Sequence, residues 1–129
     1  MLDPTLDSWM ARVAVSVLGY RTTLEATYDL ACALINRKVP GDFVEAGVFA
    51  GAECAVMAKA LMMCGETSRR VHLFDSFQVV PPCGTEDVEF AAGNVLPYGA
   101  CCPMKDVQKN MADWGIPSDL LVYHPGWFE

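Results

Sequence analysis

The sequence predicts an α/β domain in which two helices precede a parallel sheet. Three observations predict it. Apolar residues recur at three- and four-residue steps as far as Ile35, and past Gly41 the pattern shifts to short apolar runs bounded by glycine. Strand, helix and strand patterns then follow one another between residues 42 and 75. A further helix and a third strand pattern close the chain. This order implies parallel pairing with right-handed crossovers. With 53% hydrophobic and 19% charged side chains, the chain can bury a core and is not disordered. Its 129 residues form a single domain, 1–129, with no internal repeat or linker.

Each element has a local reason. Asp3-Pro4 starts the first helix, because proline already holds a helical φ. Leu6, Trp9, Met10, Val13 and Val17 make one apolar stripe, and Gly19 ends it. A second helix opens at Thr22, where Thr22-x-x-Glu25 fits a capping box, and carries the stripe Leu24, Tyr28, Ala31, Leu34 and Ile35. Residues 1–39 thus supply two amphipathic helices and no chemistry. Residues 42–47 form a short apolar run bounded by glycine, a buried parallel strand. The helix over 52–64 carries charge only at Glu53 and Lys59, so it must be covered on more than one side, and Gly65 stops it. Residues 70–75 read as the next strand. The stretch 76–102 lacks periodicity, with one or two helical turns expected over 85–92. Pro103 opens a helix through Val107, Asn110 and Met111 to Trp114, and residues 120–124 form the third strand. The seven Met residues, among them Met57, Met62 and Met63, read as core filler.

Charge and cysteine usage exclude several classes. Nine Lys+Arg against sixteen Asp+Glu leave a net charge of −7, which disfavours nucleic acid and anionic membrane as partners. No apolar run reaches the ~20 residues that span a bilayer, and no secretory leader is visible at the start. The six cysteines are then expected as reduced thiols in the cytoplasm, without zinc-site spacing. The adjacent Cys101 and Cys102 are assigned to local packing.

The chemistry lies in Glu45-x-Gly47-x-x-x-Gly51 at a strand-to-helix turn, with Asp75 ending the next strand. Gly47 permits a sharp turn and a close ligand, and Gly51 lets the helix start tight against the strand. The N–H groups at that helix start face whatever lies above the strand ends, where a carboxylate at 75 can accept ribose hydroxyls. Gly-x-x-x-Gly alone often serves only packing; the acid before the first glycine and Asp75 in register favour nucleoside binding. NAD fits less well, because dinucleotide turns prefer Gly-x-Gly-x-x-Gly and position 49 is Phe. His72 is expected on a covered strand face, and His124, at a strand end near the crevice, is the better functional candidate of the two. Asp87 and Glu89 read as solvated loop acids, and Trp127 and Phe128 as adenine-stacking or loop-packing residues.

Residues 40–51, Pro-Gly-Asp-Phe-Val-Glu-Ala-Gly-Val-Phe-Ala-Gly, resemble the first motif of the macrocin O-methyltransferase family. Residues 73–77 resemble its second motif, and Val107-x-x-Asn110, Trp114-Gly115 and Pro125-Gly126-Trp127-Phe128 its third region. The resemblance implies a Rossmann-like three-layer sandwich, of which this chain supplies strands in the order 3-2-1 of a longer sheet. It implies a class I enzyme that uses S-adenosylmethionine to methylate sugar hydroxyls of natural products. Carried over, Glu45, Gly47, Val48, Phe49 and Gly51 shape the cofactor loop, Asp75 holds the ribose, and Ser76 and Phe77 lie beside the adenosine. The second motif departs from the family's Glu-Gly-Leu-Pro continuation at Gln78-Val79-Val80-Pro81, and Ala52 and Glu53 stand where small or hydroxyl residues are frequent.

The resemblance also implies a divalent metal, magnesium, whose ligands and catalytic base fall after the third strand, so that residues 40–129 are a truncated cofactor-binding half. Strand 42–47 is then left with an unpaired edge, a template for aggregation unless covered. A homodimer, with two such strands paired antiparallel about a twofold axis, or a second chain is expected to cover it. A small-molecule acceptor completes the expected partners; the competing expectation is a non-catalytic oligomerising remnant.

Overall fold

The computed structural model describes residues 4–16, 20–78 and 102–128. Helices α1 (Pro4–Ser16) and α2 (Arg21–Asn36) lead into strand β1 (Phe43–Ala46), α3 (Ala52–Met63) and β2 (Val71–Asp75). Helix α4 (Met104–Asp113) and a short 3-10 turn (Ser118–Leu120) precede β3 (Leu121–Pro125). The predicted turns over 85–92, the loop acids Asp87 and Glu89, and the residues Val17, Gly19, Cys83 and Cys101 lie outside the described residues.

The three strands form one parallel sheet in the order β1-β2-β3. Phe43 pairs with Val71 and Val71 with Leu121; Ala46 pairs with Phe74 and Phe74 with His124. Successive strand residues face opposite sides. Phe43, Val71, Leu73 and Leu121 are therefore buried together on the face that α3 covers. The other face carries Val44, which is 60% exposed, with His72, Phe74, Val122 and His124.

Helix α3 owes its composition to its position. Cys54, Ala55, Val56, Ala58, Ala60 and Leu61 are fully buried, because the sheet lies on one side of the helix and α1 and α2 on the other. A helix apolar all round is stable only when covered this way. Trp9 carries α1 onto the end of α4: its indole N–H donates to the Trp114 carbonyl at 2.7 Å, and the Lys59 ammonium sits 5.2 Å from its ring centre.

Two local expectations are corrected. The second helix begins at Arg21 with Tyr20 as its N-cap, and Thr22 makes no capping bond. Thr22 stands inside the first turn, where the Thr23 and Leu24 N–H groups donate to the Tyr20 carbonyl, and Glu25 accepts the Arg21 guanidinium at 2.6 Å, with Arg21 also pairing with Asp7. Met62 and Met63 are exposed at the last turn of α3, where the helix outruns its cover; Met10 and Met111 fill the core instead.

Candidate functional site

The turn between β1 and α3 is built on left-handed residues. Gly47 (φ +88°) and Gly51 (φ +92°) adopt it freely, whereas Phe49 (φ +48°) is a bulky residue held there, as is Phe77 (φ +55°) beyond β2. Such conformations persist only where neighbours enforce them, and they cluster at functional sites. Asp75 is the enforcing neighbour. Its Oδ2 accepts the Val48 N–H at 2.7 Å and the Phe49 N–H at 3.3 Å, and its Oδ1 accepts the Phe77 N–H at 2.9 Å. Burial pushes this carboxyl group up, but the backbone N–H groups of Phe77, Val48 and Phe49, together with Ser76, outweigh it and hold Asp75 below the ordinary carboxylate range.

The two glycines do different work. A Cβ on Gly47 would meet nothing within 4 Å, so the backbone there is open to a ligand. A Cβ on Gly51 would lie 2.8 Å from Met111 Cε and 3.0 Å from Val107 Cγ1. The close approach at Gly51 is thus to helix α4 rather than to the strand. Asn110, on the same helix, donates its amide to the Ala50 carbonyl at 3.0 Å. Val107, Asn110 and Met111 therefore support the turn from below, a role that their spacing in sequence did not disclose.

Two hollows flank the turn, and both touch Gly47 and Phe49. One, of about 390 Å³, lies against Asp75, Ser76 and Gln78 under Trp127 and Phe128. Phe49, Trp127 and Phe128 are 48%, 49% and 66% exposed around it, so their ring faces are unoccupied by protein packing among the described residues. The other, of about 300 Å³, lies between Glu45 and Glu53 and the start of α2 at Tyr20, Thr23 and Leu24. That α2 forms a wall here was not legible in its amphipathic pattern. Phe77, expected beside the adenosine, is buried in the core with its ring 6.0 Å from that of Tyr123, and its backbone N–H donates to Asp75.

Glu45 accepts the Cys54 thiol at 2.6 Å. Burial, aided by the charges of Glu53 and Asp75, pushes its carboxyl up to about 7, with the Cys54 hydrogen bond pulling the other way. Glu53 Oε2 is buried without a hydrogen-bond partner among the described residues.

The histidines stand elsewhere. His72 lies not under the helices but on the outer face, with Nε2 at 2.8 Å from Asp42 Oδ2 and Nδ1 at 2.8 Å from His124 Nε2. His124 stacks on Phe74 with ring centres 4.1 Å apart, directed away from the turn because it shares the even-numbered face of the strands. Among the described residues no group of three or more His, Cys, Asp or Glu side chains could hold a metal ion. Among them, too, no helix is long and apolar enough to cross a membrane.

An open sheet of parallel strands with helices between them, and hollows at the strand tips, defines a Rossmann-like domain. The solved structure of the O-methyltransferase NovP matches it with a TM-score of 0.68 and 27% identity, over 81% of this chain and 45% of that one. The Macrocin-O-methyltransferase (TylF) family matches residues 5–129, and the chain belongs to that family. It is 35% identical over 124 residues to the 8-demethyl-8-(2,3-dimethoxy-alpha-L-rhamnosyl)-tetracenomycin-C 4'-O-methyltransferase of Streptomyces olivaceus, covering 91% of this chain and 46% of the relative. It is 31% identical over 122 residues to the mycinamicin III 3''-O-methyltransferase of Micromonospora griseorubida, covering 91% and 48%. The chain thus spans about half the length of these relatives.

Substitution of the two glycines separates their roles. Gly51→Ala is expected to lose about 2–4 kcal/mol in urea unfolding, from φ strain plus overpacking against Met111 and Val107; Gly47→Ala loses only the φ term, about 1–2 kcal/mol. The raised carboxyl of Glu45 makes a pH prediction. In the unfolded chain it ionises near 4.5 and in the folded chain near 7, so between these values the folded state holds more protons and stability falls as pH rises. Glu45→Gln keeps an acceptor for Cys54 and is expected to flatten the stability profile across pH 4.5 to 7, leaving the variant roughly 2–3 kcal/mol ahead above that window. Urea midpoints measured across that range check it.

Proposed function

We propose that this chain is the S-adenosylmethionine-binding part of an O-methyltransferase whose acceptor is a hydroxyl of a sugar or another small natural product. The observation that carries the reading is Asp75 gripping the Val48 and Phe49 amides at the mouth of an aromatic-rimmed hollow. Two carboxylate oxygens offer about four acceptor positions, and three backbone N–H groups fill three of them. The Ser76 side chain also engages this carboxylate, and a ribose hydroxyl bound there would take its place. Phe49, Trp127 and Phe128 offer ring faces for an adenine, and the bare backbone at Gly47 admits the ligand between the two hollows. Glu45 and Glu53, on the far side of the turn, suit an ammonium group at the amino-acid end.

Bound S-adenosylmethionine supplies a sulfonium methyl, which an acceptor oxygen takes by in-line displacement while the C–S electron pair returns to sulfur. The residues of this chain bind and orient; they hold the nucleoside so that the methyl group meets the acceptor in line. The O-methyltransferase activity named for each relative supports a hydroxyl acceptor. A second reading is a non-catalytic oligomerising remnant, which the exposed Val44 on strand β1 suits.

Calorimetric titration with S-adenosylhomocysteine separates the two. Binding that Asp75→Asn weakens about 10- to 100-fold, with the fold retained by circular dichroism, supports the cofactor reading. Absence of binding in the unmodified chain supports the remnant. Strand β1 pairs with β2 alone among the described residues, and its Val44 is exposed. We therefore expect a second copy or a second polypeptide along this edge. Light scattering coupled to size-exclusion chromatography tests this, and a well-behaved monomer of 14.1 kDa speaks against it.

A further inference from the structure

Away from both hollows, Cys32 of α2 and Cys64 at the end of α3 face each other with their sulfurs 3.5 Å apart. Both are free thiols and both are half-buried. A disulfide requires about 2.05 Å between the sulfurs, so the pair must close by about 1.5 Å, within reach of side-chain rotation. The remaining described cysteines are differently placed: Cys54 gives its thiol to Glu45 in the core, and Cys102 lies just before α4. We propose that Cys32 and Cys64 form a reversible modification site, a disulfide that fastens α2 to the end of α3.

The oxidant is a low-molecular-weight disulfide of the glutathione type. A thiolate at Cys64 attacks one sulfur of that disulfide; its S–S bond breaks, one thiolate leaves, and a mixed disulfide remains on Cys64. Cys32 then loses its proton to solvent, attacks the Cys64 sulfur and expels the second thiolate. Two protein thiols lose two electrons and two protons, and the small disulfide is reduced to two thiols. Burial pushes the Cys32 thiol up, with the Cys64 hydrogen bond adding to it, and Cys32 takes the second, intramolecular step in this scheme. There proximity offsets a small thiolate fraction. The link fastens the far ends of two helices whose first turns border the hollow beside Glu45.

The test equilibrates the full chain with glutathione disulfide under native conditions, alkylates the remaining thiols and digests with trypsin without reduction. Peptides 22–37 and 60–69 are expected as a linked pair, lighter by two hydrogens than their sum. An accompanying rise in Tm of about 5–10 °C is expected, reversed by dithiothreitol and absent in Cys64→Ser. Full alkylation of both cysteines, a mixed disulfide on Cys64 that never transfers to Cys32, linkage of Cys64 to another cysteine, or a link formed only in urea would each overturn the proposal.

Discussion

The tip of the sheet depends on one carboxylate. The turn after β1 and the turn after β2 each present backbone N–H groups where no strand or helix partner exists, and such groups must find an acceptor. Asp75 supplies it for both, through Val48 and Phe49 on one side and Phe77 on the other. Its own carbonyl accepts the Gly126 N–H at 2.9 Å, so the exit of β3 is tied to the same residue. Hydrogen bonds to a charged acceptor contribute about 1.5–3 kcal/mol each, enough to hold Phe49 and Phe77 in left-handed conformations that cost about 1–3 kcal/mol apiece. A single side chain thereby sets the shape of the surface at the strand tips, where a nucleoside is proposed to bind.

Two carboxylates of the site are driven in opposite directions by their surroundings. Burial governs Glu45, which stands beside the acids Glu53 and Asp75; the thiol and backbone N–H of Cys54 that donate to it do not offset this, and its proton is held into the neutral range. Asp75 is also partly desolvated, but convergent backbone N–H groups stabilise its charged form, and it stays ionised. Close neighbours therefore differ near neutral pH: Asp75 is a fixed anion, and Glu45 is a group that titrates there.

The turn is also shaped from a distance. Helix α4 lies more than fifty residues downstream, yet Met111 and Val107 leave room only for glycine at 51, and Asn110 holds the Ala50 carbonyl. Gly51 serves packing and Gly47 serves access. The same residue type thus answers two different constraints within one motif.

Much of this was legible in the sequence, because it is local. Alternation and helical periodicity specify the strands and helices to within a residue or two at most ends, and Glu45-x-Gly47-x-x-x-Gly51 with Asp75 marks the turn and the strand end that meet there. Thr22 is not the cap because the helix already begins at Arg21, which places Thr22 inside the first turn and leaves Glu25 to the Arg21 guanidinium. The direction of His124 was misjudged because only strand register decides which face a residue takes. What tertiary structure alone decided is which groups touch: the Asp75 oxygens on the turn amides, α4 beneath Gly51, and Cys32 against Cys64. These contacts join segments far apart in the chain. No local spacing encodes them, because they arise only when the packed core brings separate elements to one place.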